Sequence, residues 1–181
     1  GFMLKSIKFS LAAIAALGLV TVASQPAKAA GFYAGKQVKI VIGFGFGGTY
    51  GKYARIFAEH LPNYIEGKPT MIVQSMPGAG GLKAMNYVAN VMPNDGLNLF
   101  IPVDSGLLAQ LIFAKKVKYD YRNIISLGTA NQTNVILVVR GDTGVTNWKQ
   151  LKTTEVVMGS TGRGSTSFLI PNLMNGIVGT K

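Results

Sequence analysis

Three stretches of the chain concentrate glycine beside hydroxyl-bearing residues: Gly43-Phe44-Gly45-Phe46-Gly47-Gly48-Thr49, Pro77-Gly78-Ala79-Gly80-Gly81, and Ser160 to Ser167. A glycine-rich turn entering a helix presents backbone N–H groups at the positive end of the helix dipole, so each stretch is a candidate cradle for an anion. The first also fits a G-x-G-x-x-G spacing counted from Gly43. A dinucleotide site needs in addition an acidic partner for the ribose, and the acids that follow, Glu59 and Glu66, fall at a helix end and in a turn. No Gly-Lys-Ser/Thr closes any of the loops, so the Walker phosphate motif is absent. Arg163 is the only arginine in the three loops and the one side chain there able to grip a carboxylate through two parallel hydrogen bonds. The alternative is an exposed arginine in a surface loop, and such glycine-rich loops also serve as plain structural turns.

Catalytic chemistry finds little to work with. There is no cysteine, which excludes thiolate metal sites, cysteine nucleophiles and a disulfide scaffold. The single histidine, His60, falls near Pro62 at the end of a predicted helix and reads as a surface residue. With the seven scattered acids it gives no metal spacing and no triad. Ser105 follows Asp104 at a predicted strand end, but no base is identifiable for it. The residues therefore predict no enzyme, no metal and no cofactor.

The elements that must position these loops can be read from periodicity. Val38 to Phe44 predicts a buried strand, followed by a helix with Ala54, Phe57, Ala58 and Leu61 on one face and ended by Pro62. Thr70 to Gln74 predicts a second strand, and Leu82, Met85, Val88 and Ala89 stand at helical spacing. After the turn at Asn94-Asp95-Gly96, Leu97 to Val103 predicts a strand and Leu107 to Phe113 a helix, and Ile124 to Ala130 and Val135 to Arg140 read as extended. Trp148 to Lys152 predicts a short helix, Glu155 to Gly159 another strand, and a last apolar helix begins near Phe168. Strands alternating with helices imply a mainly parallel α/β sheet covered on both faces, because parallel neighbours need a crossover that a helix supplies. Ligands of such sheets bind at the carboxyl ends of the strands, where the three loops are expected.

With 181 residues, 48% apolar and 14% charged, the chain has enough burial to offset chain entropy and suits one full domain with part of another. At the N-terminus, Lys5 and Lys8 precede an apolar core from Phe9 to Ala23, and then Ala27-Lys28-Ala29. This is the layout of a signal peptide over residues 1–29 with cleavage after Ala29, the core of about 15 residues being short of the roughly 20 that span a bilayer. Export to the periplasm is the expectation; a retained membrane anchor is the other reading. Setting aside Lys5, Lys8 and Lys28, 15 basic against 7 acidic residues leave a charge of +8. Such a balance suits an anionic ligand, a membrane surface or nucleic acid. The basic residues are scattered singly, with no arginine-rich tract or aromatic RNA-binding motif, so no nucleic-acid partner is expected.

At these loops the sequence resembles the receptors of tripartite tricarboxylate transporters, the Bug-type periplasmic solute-binding proteins, from about Lys36 onward. Ile42 to Tyr50 with Tyr53-Ala54-Arg55 behind it resembles the family's first loop and helix, and Val73 to Gly81 its second loop. Pro93-Asn94-Asp95-Gly96 resembles a family turn, and Ser160 to Ser165 a loop from its second domain. Phe46 stands where the family usually has proline, Gly51 where it usually has aspartate, and Phe168 where histidine is common. With Lys52 beside Gly51, the local field favours a more highly charged anion.

The resemblance implies a periplasmic-binding-protein-like (Venus flytrap) fold of two α/β lobes that close on a ligand. Residues 30–134 would form the first lobe, and residues 135–181 the crossover and the opening of a second. The roughly 152 residues after cleavage cannot hold two lobes, so a fragment or a natural truncation is implied. The implied function is capture of a small di- or tricarboxylate and its delivery to transporter membrane subunits in the inner membrane, without covalent chemistry. The implied ligand-binding residues are Gly47, Gly48, Thr49, Tyr50, Gly78, Ala79, Gly80, Ser105, Gly162, Arg163, Gly164 and Ser165. A competing function of another class is a truncated receptor-like protein that keeps its N-terminus as an anchor and serves as a structural subunit of a membrane complex.

Overall fold

The structure, a computed structural model, describes residues 31–132 and 134–181. The expected signal segment lies outside the described residues. Phe32–Lys181 form one compact unit. Its centre is a three-stranded, all-parallel sheet of β1 (Gln37–Ile42), β2 (Thr70–Ser75) and β3 (Asn98–Ile101), in the order β2-β1-β3. Ile40 of β1 stands opposite Val73 on one side and Leu99 on the other.

The sequence Gln37-Val-Lys-Ile-Val-Ile builds the middle strand because its β-branched residues suit a pleated surface and every one of them is buried. Val38, Ile40 and Ile42 point to one face, where they pack with Met71 and with Ala54, Phe57 and Ala58 of helix α1 (Thr49–His60). The other face is covered by α2 (Leu82–Asn90), α3 (Gly106–Ile112) and α4 (Thr166–Val178). Their core there is Leu82, Met85, Val103, Ala109, Tyr119 and Leu169. Each fully buried Ile or Leu in these clusters stabilises the fold by about 1.5–3 kcal/mol relative to exposure. The result is α/β with helices on both faces, compatible with part of a periplasmic-binding-protein-like lobe.

Element ends follow local chemistry. The helix α1 passes at His60 into a 3₁₀ turn, Leu61–Tyr64, that begins with Pro62 near its start. The third strand is shorter than Leu97 to Val103: it stops at Ile101, before Pro102, which has no N–H to give a ladder. Asp95 caps the turn before it, its carboxylate accepting from the Leu97 N–H at 2.9 Å and from the Asn98 amide at 2.9 Å. Those bonds hold the Asp95 carboxyl below its ordinary range.

One expectation needs correcting. The run Glu155 to Gly159, read as a strand, joins no ladder, and neither do the segments Ile124 to Ala130 and Val135 to Arg140. Ile125, Leu127, Ile136, Val138 and Val157 are exposed, Val157 almost completely at 95%. Apolar β-branched runs predict a strand only where another strand supplies the partner hydrogen bonds, and among the described residues no fourth strand does. Trp148–Lys152 is a 3₁₀ helix begun by an Asn147 and Gln150 capping box. Among the described residues, no helix is long and apolar enough to cross a membrane.

Candidate functional site

The first loop follows β1 and enters α1. Gly45, Gly47, Gly48 and Thr49 are exposed, and a Cβ at Gly45, Gly47 or Gly48 would meet nothing within 4 Å. Gly48 is the N-cap of α1, with no side-chain cap, no acid in the first turn and Lys52 close behind. The first N–H groups of a helix have no intrahelical partner, so this end is open to an anion. Two contacts hold the loop on the helix. The Arg55 guanidinium donates to the Phe46 carbonyl at 2.9 Å. That same carbonyl lies where a Cβ of buried Gly51 would fall, so an aspartate at 51 would require the loop to shift.

The second and third loops are built differently: they pack on each other. Gly80 is buried at φ +65, and a Cβ there would fall 2.5 Å from the Ser165 nitrogen and 2.9 Å from the Gly164 nitrogen. A Cβ at Gly162 would in turn meet the Gly80 nitrogen at 2.6 Å, and one at Gly164 would strike Leu82 and the Ala79 carbonyl. These glycines serve close backbone approach. Several of the polar groups expected to face a ligand are already engaged. The Ser165 N–H donates to the Gly162 carbonyl at 3.0 Å, the Ser165 hydroxyl to the same oxygen at 2.7 Å, and the Gly162 N–H to Ser160 Oγ at 3.0 Å. The third loop thus meets the second without standing at the end of a paired strand.

Ser105 and Asp104 join the third loop to the helix that follows the first. Buried Ser105 donates its hydroxyl to the Gly164 carbonyl at 2.6 Å. Asp104 Oδ1 accepts from the Ser105 N–H at 2.9 Å and from the Thr166 hydroxyl at 2.8 Å, while the Asp104 N–H donates to the Tyr50 hydroxyl at 3.3 Å. Tyr50 stacks on Phe44 with ring centroids 4.7 Å apart. Burial raises the Tyr50 hydroxyl above its ordinary pKa; of the weaker influences, the hydrogen bond from the Asp104 backbone acts the other way and the Asp104 charge adds to the rise. Of the expected binding residues, the structure therefore links Tyr50, Ser105, Gly164 and Ser165, with Gly80 and Gly162 buttressing the join. It leaves Gly47, Gly48 and Thr49 on an open edge and Gly78, Ala79 and Arg163 exposed. Asp104 is the residue that sequence reasoning passed over, and its place at the carboxyl end of a predicted strand was the signal. Among the described residues, no group of three or more His, Asp or Glu side chains is arranged to hold a metal ion.

No family model matches the chain, and no solved structure does. Among curated proteins it is similar to a UPF0065 protein of Bordetella bronchiseptica, at 28% identity over 163 residues. The match takes in 87% of this chain and 48% of that protein, so the chain spans about half the length of the curated relative it matches. The chain is a distant homologue of that protein.

Proposed function

We propose that this chain is the ligand-capturing part of a Bug-type solute-binding receptor, which takes up a small di- or tricarboxylate in the periplasm and delivers it to the membrane subunits of a tripartite tricarboxylate transporter. The observation that carries the reading is the open, uncapped and acid-free N-terminus of α1 at the carboxyl end of the central strand, in a chain of net positive charge. Backbone N–H groups of Gly47 to Tyr50 supply the donors for one carboxylate, and Lys52 adds favourable field. The four motif resemblances and the distant UPF0065 homologue support it. Capture is non-covalent, and a second lobe from a longer protein would complete the cleft.

Differential scanning fluorimetry against citrate, succinate and acetate tests this. A ligand present at about 100 times its Kd stabilises by about 2.7 kcal/mol, which raises Tm by several degrees in a domain of this size. The expected order is citrate above succinate above acetate. No shift with any of the three at millimolar concentration would remove the carboxylate-receptor reading. Mass spectrometry of the exported protein, expected to begin at Ala30, tests the periplasmic assignment.

A further inference from the structure

A recess lies between α2, the end of α3 and the tip of the third loop, and no residue of the first loop lines it. It is an open depression of about 390 Å³, within the size range of small-molecule sites. Leu82, Ala79 and Phe113 form its apolar floor, and Lys83, Lys116 and Arg163 stand around it. Among the described residues none of the three cations has a carboxylate within ion-pair distance; the two ion pairs present are Asp120 with Arg122 and Asp142 with Arg140.

The walls are fixed. On one side Asn86 Oδ1 accepts from the Lys118 N–H at 2.8 Å, and the Asn90 amide donates to the Lys118 carbonyl at 2.7 Å. These residues, four apart on α2, clamp the 116–118 backbone to the helix. The Lys116 N–H in turn donates to the Phe113 carbonyl at 2.8 Å. On the other side, the packing of Gly164 against Leu82 holds the loop that carries Arg163. The stem of Lys83 lies on Gly78, 3.1 Å from where a Cβ would be, so its aliphatic part covers the second loop.

We infer that this recess binds a small amphipathic anion, an aromatic or branched aliphatic monocarboxylate, with the apolar body on Leu82 and Phe113 and the carboxylate among Lys83, Lys116 and Arg163. An apolar floor inside a ring of unpaired cations selects against two alternatives. A neutral apolar molecule leaves the cations unused, and a compact tricarboxylate leaves the floor wet while losing its own hydration. The site is separate from the first loop and stands whether or not the chain is a receptor for di- or tricarboxylates.

The test is a ¹⁵N-resolved NMR titration of the whole chain with benzoate, with benzyl alcohol as the neutral analogue and citrate as the probe of the first loop. Benzoate is expected to shift the amides of Asn86, Phe113 and Lys116, and to bind more tightly than benzyl alcohol. Lys83→Gln and Lys116→Gln, both at exposed positions, should each weaken benzoate about threefold and together about tenfold, while citrate is unaffected. Arg163 is left in place because it is also among the residues implied for the di- or tricarboxylate ligand. Unchanged benzoate affinity in the double variant, or shifts confined to residues 43–50, would overturn the assignment. Benzoate binding here with no citrate response anywhere supports this site and tells against the receptor reading. Citrate at the first loop with no benzoate response does the reverse.

Discussion

At the scale of single residues, the hydroxyl of Ser105 is a structural link whose removal has a readable cost. It is 5% exposed and donates to the Gly164 carbonyl at 2.6 Å. Ser105→Ala removes that donor and leaves the carbonyl, on a buried residue, without this partner, so a loss of about 1–3 kcal/mol is expected. Urea unfolding with an unchanged m-value measures it, and a loss below about 0.5 kcal/mol would mean that water replaces the hydroxyl. Tyr119 makes a second prediction. Its buried hydroxyl donates to the Gly106 carbonyl at 2.6 Å, and burial pushes its pKa up to about 12. The neutral form is favoured in the fold, so this stabilisation is fully present below about pH 10, where the unfolded chain's tyrosine also keeps its proton. It is lost as pH rises from about 10 towards about 12, because the unfolded state gives up its proton first. Tyr119→Phe loses the hydrogen bond but does not titrate, so the gap in urea midpoint between wild type and variant should narrow from about pH 9 to about pH 11.5. A constant gap would mean the hydroxyl does not titrate differently in the two states.

Elements separate two loops that look alike in sequence. Gly48 and Gly80 both sit in glycine-rich turns before helices, and the same argument about backbone approach applies to either when read as letters. In the fold, Gly48 has φ −87 and ψ −175, a conformation open to any residue, with free space beyond it. Gly80 has φ +65, and the third loop's backbone lies within 3.0 Å of where a Cβ would be. Gly48→Val should leave stability within about 1 kcal/mol of wild type and weaken citrate, since the bulk lies over the α1 N-terminus. Gly80→Val should cost about 2–5 kcal/mol, from left-handed strain and overpacking together. Thermal unfolding of both variants beside citrate calorimetry checks this, and equal stabilities would mean that the two loops are interchangeable. Sequence could locate both turns because glycine spacing is local. It could not tell a cradle from a joint, because that depends on Ser165, which lies 85 positions along the chain from Gly80 and whose nearness only the tertiary fold creates.

For the whole molecule, the sheet was legible where apolar runs had neighbours to pair with. Strands β1, β2 and β3 fall within a few residues of their predicted spans, and the helices follow their predicted apolar faces. Glu155 to Gly159 was misread because pairing is a property of two segments, and periodicity reports on one. Net charge is the global property that sequence does report directly. The described unit carries an excess of +8, with 15 basic against 7 acidic residues, and two of the acids are held in exposed ion pairs. Asp120, for example, is held down to about 2 by its hydrogen bonds from Arg122, so it stays ionised through the physiological range. Exposed charges scattered over the surface act on an approaching anion through their summed field, which salt screens over about 8 Å at physiological ionic strength. On the proposed function, donors at the first loop act by contact and are screened less. The association rate for citrate should therefore fall roughly tenfold between about 0.02 M and about 0.5 M salt, with a much smaller change in the dissociation rate. Stopped-flow measurement at matched pH separates the two. An association rate that stays flat would mean the excess charge does not steer the ligand, and the first loop alone would then have to account for capture.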